Sequence, residues 1–390
     1  MARQPYLTSR LQGFGTTIFA EMSALAVRTG ALNLGQGFPD TDGPTEVSEA
    51  AIAAILAGQN QYPPGPGIDD LRQAVAEHQL RFWGLTVDPD REVLVTAGAT
   101  EALAAALLGL CETGDEVIVF DPTYDSYAAG IALAGAKQRG VLLEPSDGGF
   151  VFDPDELRRS FNPKTRLILL NSPHNPTGKV FTADELSLVA ELCQEHDVLA
   201  VTDEVYEHLT FDGRAHIPLA TFDGMAERTL TVSSGGKSFS FTGWKIGWVS
   251  GPADVVAAVR TAKQFLTFVN GAPFQPAIAV GLRLGDDYFE RFAAELQAKR
   301  DLLGRYLDEA GFEVFNPEGT YFTTVDISAV TDQPSIDFCL ALPERAGVVA
   351  VPSAVFYQDQ RNGARLVRFC FAKNDAMLTD AGERLVAAFT

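Results

Sequence analysis

Lys237 stands in the setting that a reactive amine requires. It follows a β-branched run at residues 229–232, which predicts a strand, and it ends the turn Ser233-Ser234-Gly235-Gly236-Lys237. An amine attacks a carbonyl only in its neutral form, and a tight pocket favours that form because burial disfavours charge. Lys237 is therefore the candidate nucleophile, and the anion ligands that such a site needs should lie close to it.

Two stretches supply candidate anion ligands. Ser234 and Lys245 lie three residues before and eight after Lys237, and a hydroxyl with an ammonium suits a phosphate group. Gly98-Ala99-Thr100 precedes a predicted helix, whose N-terminal amides attract anions. Each signal also has an ordinary interpretation, since many strand–helix turns contain glycine and a lone lysine is usually solvated. The hydrophobic residues on both sides of Lys245 favour the phosphate interpretation.

A carboxylate and three further side chains suit a pyridine ring. Asp203 ends the apolar run 198–202; an aspartate there is ordinarily a cap or turn former, but it can also keep a ring nitrogen protonated. Tyr206 and Asn175 could bond a phenolic oxygen of the ring. Tyr124 could stack on it, although a lone aromatic also suggests core. With a lysine and a phosphate site, these residues predict pyridoxal 5′-phosphate as the cofactor.

Arg368 is a charge inside an apolar run, residues 366–371. A buried charge is costly unless it is paired, and the arginine fork matches a carboxylate with two bonds. The run therefore predicts one of two arrangements. Arg368 either binds the carboxylate of a substrate or forms a structural ion pair with a neighbouring acid.

The polar candidates share one position relative to the predicted elements. Apolar runs predict strands at residues 92–96, 116–120, 165–170, 198–202, 229–232 and 246–250, and helical patterns predict helices at 101–111 and 183–196. This alternation indicates an α/β fold, with a mostly parallel sheet flanked by helices. Most candidates lie at or just beyond the C-terminal end of a strand, the edge at which open α/β sheets bind ligands.

The pattern changes near residue 285. An amphipathic helix is predicted at 288–310, followed by short strands at 312–315, 321–325, 348–351 and 366–371. We therefore expect a large cofactor-binding domain at residues 41–280 and a smaller α+β domain at 281–390. The segment 1–40 has little strand signal and is expected to be an arm that packs with the smaller domain.

Composition excludes several classes of protein. The 390 residues are 46% hydrophobic and carry a net charge of −21, which argues against binding nucleic acid or anionic lipid. Four scattered cysteines and five histidines form neither a CxxC pair nor an HExxH pattern, so we expect reduced thiols, a cytoplasmic location and no metal site. Residues 1–10 show no signal-peptide pattern, and no apolar run is long enough to span a bilayer.

Five motifs in order carry a resemblance to a known family. The chain resembles, over nearly its whole length, the class I and II aminotransferases of pyridoxal phosphate fold type I. Within them it is similar to the kynurenine, glutamine and methionine transaminase branch, and most of all to actinobacterial N-succinyldiaminopimelate aminotransferases. The motifs are Asn33-Leu34-Gly35-Gln36-Gly37-Phe38-Pro39-Asp40, Asn60-Gln61-Tyr62-Pro63-Pro64-Gly65-Pro66-Gly67, Asn171-Ser172-Pro173-His174-Asn175-Pro176-Thr177-Gly178, Thr202-Asp203-Glu204-Val205-Tyr206 and Gly243-Trp244-Lys245-Ile246-Gly247-Trp248.

The resemblance implies roles at the matching positions. Lys237 would bind the cofactor covalently and move the proton, and Asp203 would hold the pyridine nitrogen. Tyr206 and Asn175 would hold the ring oxygen. The phosphate would be held by Ala99, Thr100, Ser234 and Lys245.

The resemblance also implies substrate contacts and a partner. Arg368 would clamp the substrate carboxylate with help from Asn175 and the amide of Gly37. Tyr62 would reach the phosphate of a partner subunit, so the family implies a homodimer with shared active sites. Phe19 stands where the aromatic transaminases of the branch usually offer tryptophan.

Two departures from the branch concern the substrate. Besides Phe19, the loop Val269-Asn270-Gly271-Ala272-Pro273 replaces an aromatic–histidine pair, so the pocket is expected to be more open and less suited to aromatic substrates. The resemblance therefore implies transfer from N-succinyl-LL-diaminopimelate to a 2-oxo acid, 2-oxoglutarate, in lysine biosynthesis. One alternative is a kynurenine, glutamine or methionine transaminase with cysteine-S-conjugate β-lyase activity, and another is a non-catalytic ligand-sensing regulator.

Overall fold

A computed structural model of the chain describes residues 6–15, 17–146 and 148–390. The strands are β1 Leu32–Asn33, β2 Val93–Thr96, β3 Glu116–Asp121, β4 Lys137–Leu142, β5 Glu144–Ser146, β6 Gly149–Val151, β7 Thr165–Asn171, β8 Leu199–Asp203, β9 Thr229–Ser234, β10 Gly247–Ser250, β11 Glu313–Phe315, β12 Phe322–Asp326, β13 Val348–Val349, β14 Val351–Pro352 and β15 Leu366–Cys370.

The helices connect and cover these strands. They are α1 Ile18–Thr29, α2 Thr45–Leu56, α3 Asp69–Trp83, α4 Gly98–Leu110, α5 Asp125–Ala134, α6 Pro154–Ser160, α7 Ala183–Glu195, α8 Gly235–Ser238, α9 Ala253–Lys263, α10 Phe274–Leu282, α11 Asp286–Glu309, α12 Ser335–Ala346 and α13 Asp375–Phe389. None of the helices in the described ranges combines the length and the apolar character that crossing a membrane requires.

A seven-stranded sheet forms the centre of the molecule, in the order β2-β10-β9-β8-β7-β3-β4. All its pairs are parallel except those of β10, which runs antiparallel to β2 and β9. Alternate residues of β3 enter opposite cores: Val117 and Val119 pack in the core that includes α4 and α9, while Ile118 and Phe120 pack in the one that includes α7. The predicted mostly parallel sheet flanked by helices is confirmed.

A second, four-stranded sheet, β11-β12-β15-β14, is antiparallel. Its core includes Val325 and Phe369 and also Met22 and Leu25 of α1. β1 pairs with β13 in parallel, so the N-terminal segment contributes to the same core. The predicted smaller α+β unit is thus present. The proposed boundaries at residues 40 and 280 stay a prediction, and residues 1–5 and 16 of the predicted arm lie outside the described residues.

Candidate active site

A cavity of about 280 Å³ lies at the C-terminal ends of β8 and β9 and is also lined by the second sheet. Its volume is close to the lower end of the range for small-ligand sites. All but one of the predicted site residues line it. They are Phe19, Gly37, Gly98, Ala99, Thr100, Tyr124, Asn175, Asp203, Tyr206, Ser234, Lys237, Lys245 and Arg368.

Tyr62 is the predicted site residue that does not line this cavity. Its side chain is 83% exposed, and its ring lies 5.8 Å from that of Phe268. Tyr62 itself lies at a separate depression, which it shares with the loop of Asn270 and Gly271. The predicted role of Tyr62 concerns a partner subunit, so its position on one chain leaves that role a prediction.

Lys237 lies in α8, directly beyond β9, and its amine contacts a tyrosine that the sequence analysis does not single out. Nζ donates a hydrogen bond to Tyr321 Oη at 2.6 Å and lies 3.5 Å from the carbonyl oxygen of Gly37. Burial lowers the pKa of Lys237 to about 8, and the positive charges of Arg368 and Lys245 act in the same direction. The amine is therefore partly neutral near neutral pH, as a nucleophile or base requires.

An anion cradle forms where α4 begins. Gly98 has a φ of +71°, and the side-chain ammonium of Lys245 lies 3.4 Å from Thr100 Oγ1. A Cβ on Gly98 would lie 3.2 Å from Lys245 Nζ, and a Cβ on Gly247 would lie 2.7 Å from the Gly98 carbonyl carbon. Only glycines permit this close approach. The cradle combines a helix N-terminus, the hydroxyl groups of Thr100 and Ser234 and one ammonium, which suits a phosphate.

Asp203 ends β8 with its side chain buried. Oδ2 accepts a hydrogen bond from Tyr127 Oη at 2.5 Å. Burial raises the pKa of Asp203 to about 6, while the hydrogen bond from Tyr127 and the charge of Lys237 oppose that rise. A cationic group in the cavity would restore the carboxylate form, because a nearby positive charge favours it. Tyr127, on α5, is not predicted as a site residue because a tyrosine on an Ala-rich helix ordinarily indicates core.

A second asparagine, Asn171, holds the backbone of Asn175. The backbone amide of Asn175 donates to Asn171 Oδ1 at 2.7 Å, and Asn171 Nδ2 donates to the Asp203 carbonyl oxygen at 2.8 Å. This leaves Asn175 Oδ1 to accept from Arg368 Nη1 at 2.9 Å. Asn171, at the end of β7, therefore links Asn175 in the following loop to Asp203 at the end of β8.

Two tyrosines complete the cavity wall. The Tyr206 ring packs edge-on against Tyr321, with centroids 5.2 Å apart. The Tyr124 ring packs edge-on against Tyr127 at 5.7 Å, and burial raises the pKa of Tyr124 to about 12. Both hydroxyl groups stay protonated at neutral pH and can donate hydrogen bonds.

Arg368 is 1% exposed and forms no ion pair with any residue in the described ranges. Nη1 donates to Asn175 and Nη2 to the Gly35 carbonyl oxygen at 3.2 Å, whereas Nε has no hydrogen-bond partner among the residues that the structure describes. The guanidinium carbon lies 3.9 Å from the ring centroid of Phe322 and 5.2 Å from that of Phe19. Burial lowers the pKa of Arg368 to about 10. Of the two predicted arrangements, these contacts favour an anion supplied from outside the chain.

A second group of ionisable side chains, His78, Glu207 and His208, lies outside this cavity and has spacing that could suit a metal. Several of its polar atoms already have partners in the protein, whereas His78 Nδ1 has none among the described residues. The Nε2 atoms of the two histidines are 2.7 Å apart, and Glu207 accepts from Ser233 Oγ at 2.6 Å and Trp83 Nε1 at 2.7 Å. Burial lowers the pKa of His78 to about 3. The predicted lack of a metal stays a prediction.

Three groups of the cavity indicate which chemical features its first ligand should have. The amine of Lys237 suits an aldehyde, the cradle beside Gly98 suits a phosphate, and the carboxylate of Asp203 suits a protonated ring nitrogen. Arg368 is left for the carboxylate of a second molecule. A phosphorylated pyridine aldehyde satisfies all three conditions on the first ligand, so pyridoxal phosphate fits these residues.

Comparisons with known proteins agree with this geometry. Residues 29–385 match the protein family described as aminotransferase class I and II. The chain is 51% identical, over 385 residues and 97% of both chains, to the probable N-succinyldiaminopimelate aminotransferase DapC of Mycobacterium tuberculosis. The solved structure of N-succinyldiaminopimelate aminotransferase from that organism matches with a TM-score of 0.96 and 52% identity, covering 98% of this chain and 100% of the other. The methionine aminotransferase of Escherichia coli is 41% identical, with 97% of both chains covered.

Proposed function

We propose that this chain, which belongs to the class I and II aminotransferase family, transfers the amino group of N-succinyl-LL-diaminopimelate to 2-oxoglutarate. Membership confirms the predicted family, aminotransferase activity and dependence on pyridoxal phosphate. It also argues against a non-catalytic regulator. The observation that carries the donor assignment is 51% identity over 97% of the chain to a probable N-succinyldiaminopimelate aminotransferase.

The cofactor supplies, when bound, a ring that accepts the electron pair left on the substrate's Cα after its proton is removed. We assign the phosphate to the N-terminus of α4 with Thr100, Ser234 and Lys245. Asp203 holds the ring nitrogen, and Tyr206 with Asn175 holds the ring oxygen. These assignments are supported by the shared cavity and by the raised pKa of Asp203, which a positive ring nitrogen would reverse.

Lys237 moves the proton in this proposal. Its amine, when not bound to the cofactor, would take the proton from the substrate's Cα as a general base and would then give it up as a general acid. The lowered pKa of Lys237, about 8, leaves enough neutral amine for this step near neutral pH, and its neutral fraction increases as the pH rises. Desolvation thus tunes a lysine into a general base.

Arg368 orients the amino acid. Its unpaired Nε is a donor that a substrate carboxylate can satisfy, and Asn175 holds the guanidinium from the other side. A carboxylate held there limits how the substrate can turn about its Cα, which is what selects the bond to be broken. The Gly37 amide and the Phe19 ring border the same part of the cavity and are proposed as further substrate contacts.

The proposed donor is a bulky, polar amino acid, and the chain offers two features that accommodate it. Phe19 is smaller than the tryptophan usual in the aromatic branch, and the loop 269–273 contains no aromatic side chain. Both leave space beyond the reacting amino group. The identity to the M. tuberculosis protein supports the same donor.

We also propose a homodimer with shared active sites. Tyr62 and Phe265 are 83% and 82% exposed, and Leu266 and Phe268 are also exposed on the same loop region. Apolar side chains exposed together often mark a protein interface, and a second copy would bring the partner's Tyr62 within reach of the cradle. The free thiols of the four cysteines favour the predicted cytoplasmic location.

A panel of amino donors with 2-oxoglutarate tests the proposed function. N-succinyl-LL-diaminopimelate, methionine, glutamine and kynurenine are each assayed for glutamate formation by the purified holoenzyme. We expect kcat/KM for the succinylated donor to exceed that for the other three by at least tenfold, about 1.4 kcal/mol in transition-state binding. Equal or higher values for methionine or kynurenine would overturn the donor assignment.

The second candidate function is a methionine-type transaminase with cysteine-S-conjugate β-lyase activity. The 41% identity to a methionine aminotransferase favours it, and the same proton removal can lead to loss of a β-substituent. A β-substituted cysteine conjugate, given without any 2-oxo acid, distinguishes the two. Release of pyruvate and ammonia at the rate of transamination would favour this candidate over the first.

A further inference from the structure

Two hydrogen bonds in series hold the amine of Lys237. Apart from Lys237 itself, none of the residues assigned to the cofactor takes part in them. Lys237 Nζ donates to Tyr321 Oη at 2.6 Å, and Tyr321 Oη donates to the Gly37 carbonyl oxygen at 2.8 Å. Because the hydroxyl has one proton and gives it to Gly37, its oxygen is free to accept from the amine. Gly37 lines the cavity away from the cradle, and Tyr321 lies behind the lining.

Tyr321 has little freedom to move. It is fully buried, its ring packs against Tyr206 at 5.2 Å and Phe322 at 4.8 Å, and its carbonyl accepts from the Phe371 amide at 3.0 Å. Burial keeps the pKa of Tyr321 well above its usual value. The hydroxyl therefore remains a neutral hydrogen-bonding group throughout the working pH range and is not itself a base.

We propose that Tyr321 is a positioning residue that holds the released amine of Lys237 in place between its two proton transfers. The inference rests on the proposed role of Lys237. An amine freed from the cofactor sits at the end of a flexible four-carbon chain, and a base is effective only if it stays within reach of the proton. A rigid, neutral acceptor 2.6 Å away restricts the amine without a charge that would keep it protonated.

Tyr321→Phe removes the hydroxyl and keeps the ring contacts. In single-turnover reactions with a saturating amino donor, we expect the limiting rate of α-proton removal to fall about fivefold, the loss of one hydrogen bond. The donor's dissociation constant should change little, because the Tyr321 hydroxyl donates only to the carbonyl oxygen of Gly37 and leaves the Gly37 amide and Arg368 to the carboxylate. The kinetic isotope effect with α-deuterated donor should increase as this step becomes slower.

A second measurement does not require turnover. The apoprotein's rate of covalent cofactor capture rises with the neutral fraction of Lys237, so its pH half-point reports the pKa of the amine. An oxygen acceptor favours the ammonium over the amine, so Tyr321→Phe should move the half-point to lower pH. The charged and titratable groups that act on Lys237 remain in the variant: Cys370, Asp203, Arg368 and Lys245.

Tyr357→Phe is the matched control, because Tyr357 is a buried tyrosine whose hydroxyl has no hydrogen-bond partner in the described part of the chain. It should leave rate, isotope effect and half-point unchanged. A rate, isotope effect and half-point equal to those of the wild type in Tyr321→Phe would overturn the proposal. A large fall in the unfolding temperature of its apoprotein would also overturn it, because that result would indicate a packing role. Absence of covalent capture in the wild type would instead contradict the proposed role of Lys237.

Discussion

Two charged side chains of the cavity, Arg368 and Asp203, are buried without an ion pair in the described part of the chain. Burying an unpaired charge destabilises a fold, so packing alone does not explain either residue. Each has one side satisfied by a neutral donor or acceptor, Asn175 for Arg368 and Tyr127 for Asp203. The rest of the Arg368 guanidinium and of the Asp203 carboxylate suits a ligand of opposite charge. The role of each residue can be tested with its own variant.

Arg368→Lys should weaken substrate binding and leave the cofactor in place. Lysine keeps the charge but loses the fork that binds a carboxylate with two hydrogen bonds. The loss of one charge-assisted bond, about 1.5–3 kcal/mol, predicts that KM for both amino donor and 2-oxo acid increases by about 10- to 100-fold. Steady-state kinetics and the cofactor's absorbance measure this. Arg384→Lys, at an exposed ion pair with Asp380, is the control, and equal KM values in both variants would exclude the assigned role.

Asp203→Asn should stabilise the apoprotein and weaken cofactor binding. The folded state raises the pKa of Asp203 from 3.8 to about 6, so it binds the proton more tightly than the unfolded chain does. The apoprotein's stability therefore falls as the pH rises through this interval, and the asparagine variant escapes that loss. We expect its apoprotein to unfold at a higher temperature than the wild type at pH 7 but not at pH 4.

The matched control for Asp203 is Asp121→Asn. Asp121 is also buried, and its pKa is likewise raised to about 6, but it does not line the cavity. The same pH-dependent gain in stability is expected, with unchanged affinity for pyridoxal phosphate. Asp203→Asn should bind the cofactor at least tenfold more weakly, since it loses a charged hydrogen bond. Unchanged affinity in that variant would contradict its role.

The element that most shapes the site is the N-terminus of α4. Gly98 lets the chain turn directly from β2 into the helix, with a φ of +71°, and thereby presents the first amides of α4 beside Lys245. A helix N-terminus attracts anions over about one turn only, so the turn must be tight. The position of Gly98 therefore couples backbone conformation to phosphate binding.

Gly98→Ala should reduce cofactor affinity more than stability. Its Cβ would lie 3.2 Å from Lys245 Nζ, which displaces the ammonium, and the positive φ adds about 1 kcal/mol of strain. Gly30→Ala is the control, because Gly30 has a φ of +67° and open space around its Cβ. Both variants should lose similar stability in thermal unfolding, but only Gly98→Ala should release the cofactor on dialysis. Equal retention would argue against a phosphate at α4.

How far the elements could be predicted depends on their surroundings. Central strands such as β3 and β8 are readable because their apolar residues enter cores on both faces. The sequence does not predict β4, an edge strand whose exposed positions are polar.

The sequence also does not predict Tyr321 and Tyr127 as residues of the site. A lone tyrosine ordinarily indicates core, and only the packing of α5 and of the segment directly before β12 brings these hydroxyl groups to Asp203 and Lys237.

At the scale of the whole molecule, the cavity requires both sheets. Asp203 ends a strand of the central sheet and Lys237 directly follows another, while Arg368 comes from the second sheet and Phe19 and Gly37 from the N-terminal segment. The carboxyl ends of parallel strands meet at one edge, which makes the first pair predictable from sequence. The approach of Arg368 depends on how the two sheets pack, which no local pattern specifies.

Subunit complementation tests the proposed shared site. Lys237→Ala and Tyr62→Ala are each expected to be poorly active alone. After mixed unfolding and refolding, a hybrid dimer would contain one site with both residues intact, because the lysine comes from one subunit and the tyrosine from its partner. Activity should therefore reappear in the mixture. No recovery, although hybrid dimers form, would mean that Tyr62 serves the site of its own chain.

The most direct test of the account is the identity of the lysine that binds the cofactor. Borohydride reduction of the holoenzyme fixes the pyridoxyl group to the nitrogen that holds it, and proteolysis with mass spectrometry identifies the labelled peptide. We predict one label per chain, on Lys237, and neither label nor transamination in Lys237→Ala. A label on Lys245 or on any other lysine, or full turnover by Lys237→Ala, would contradict the account.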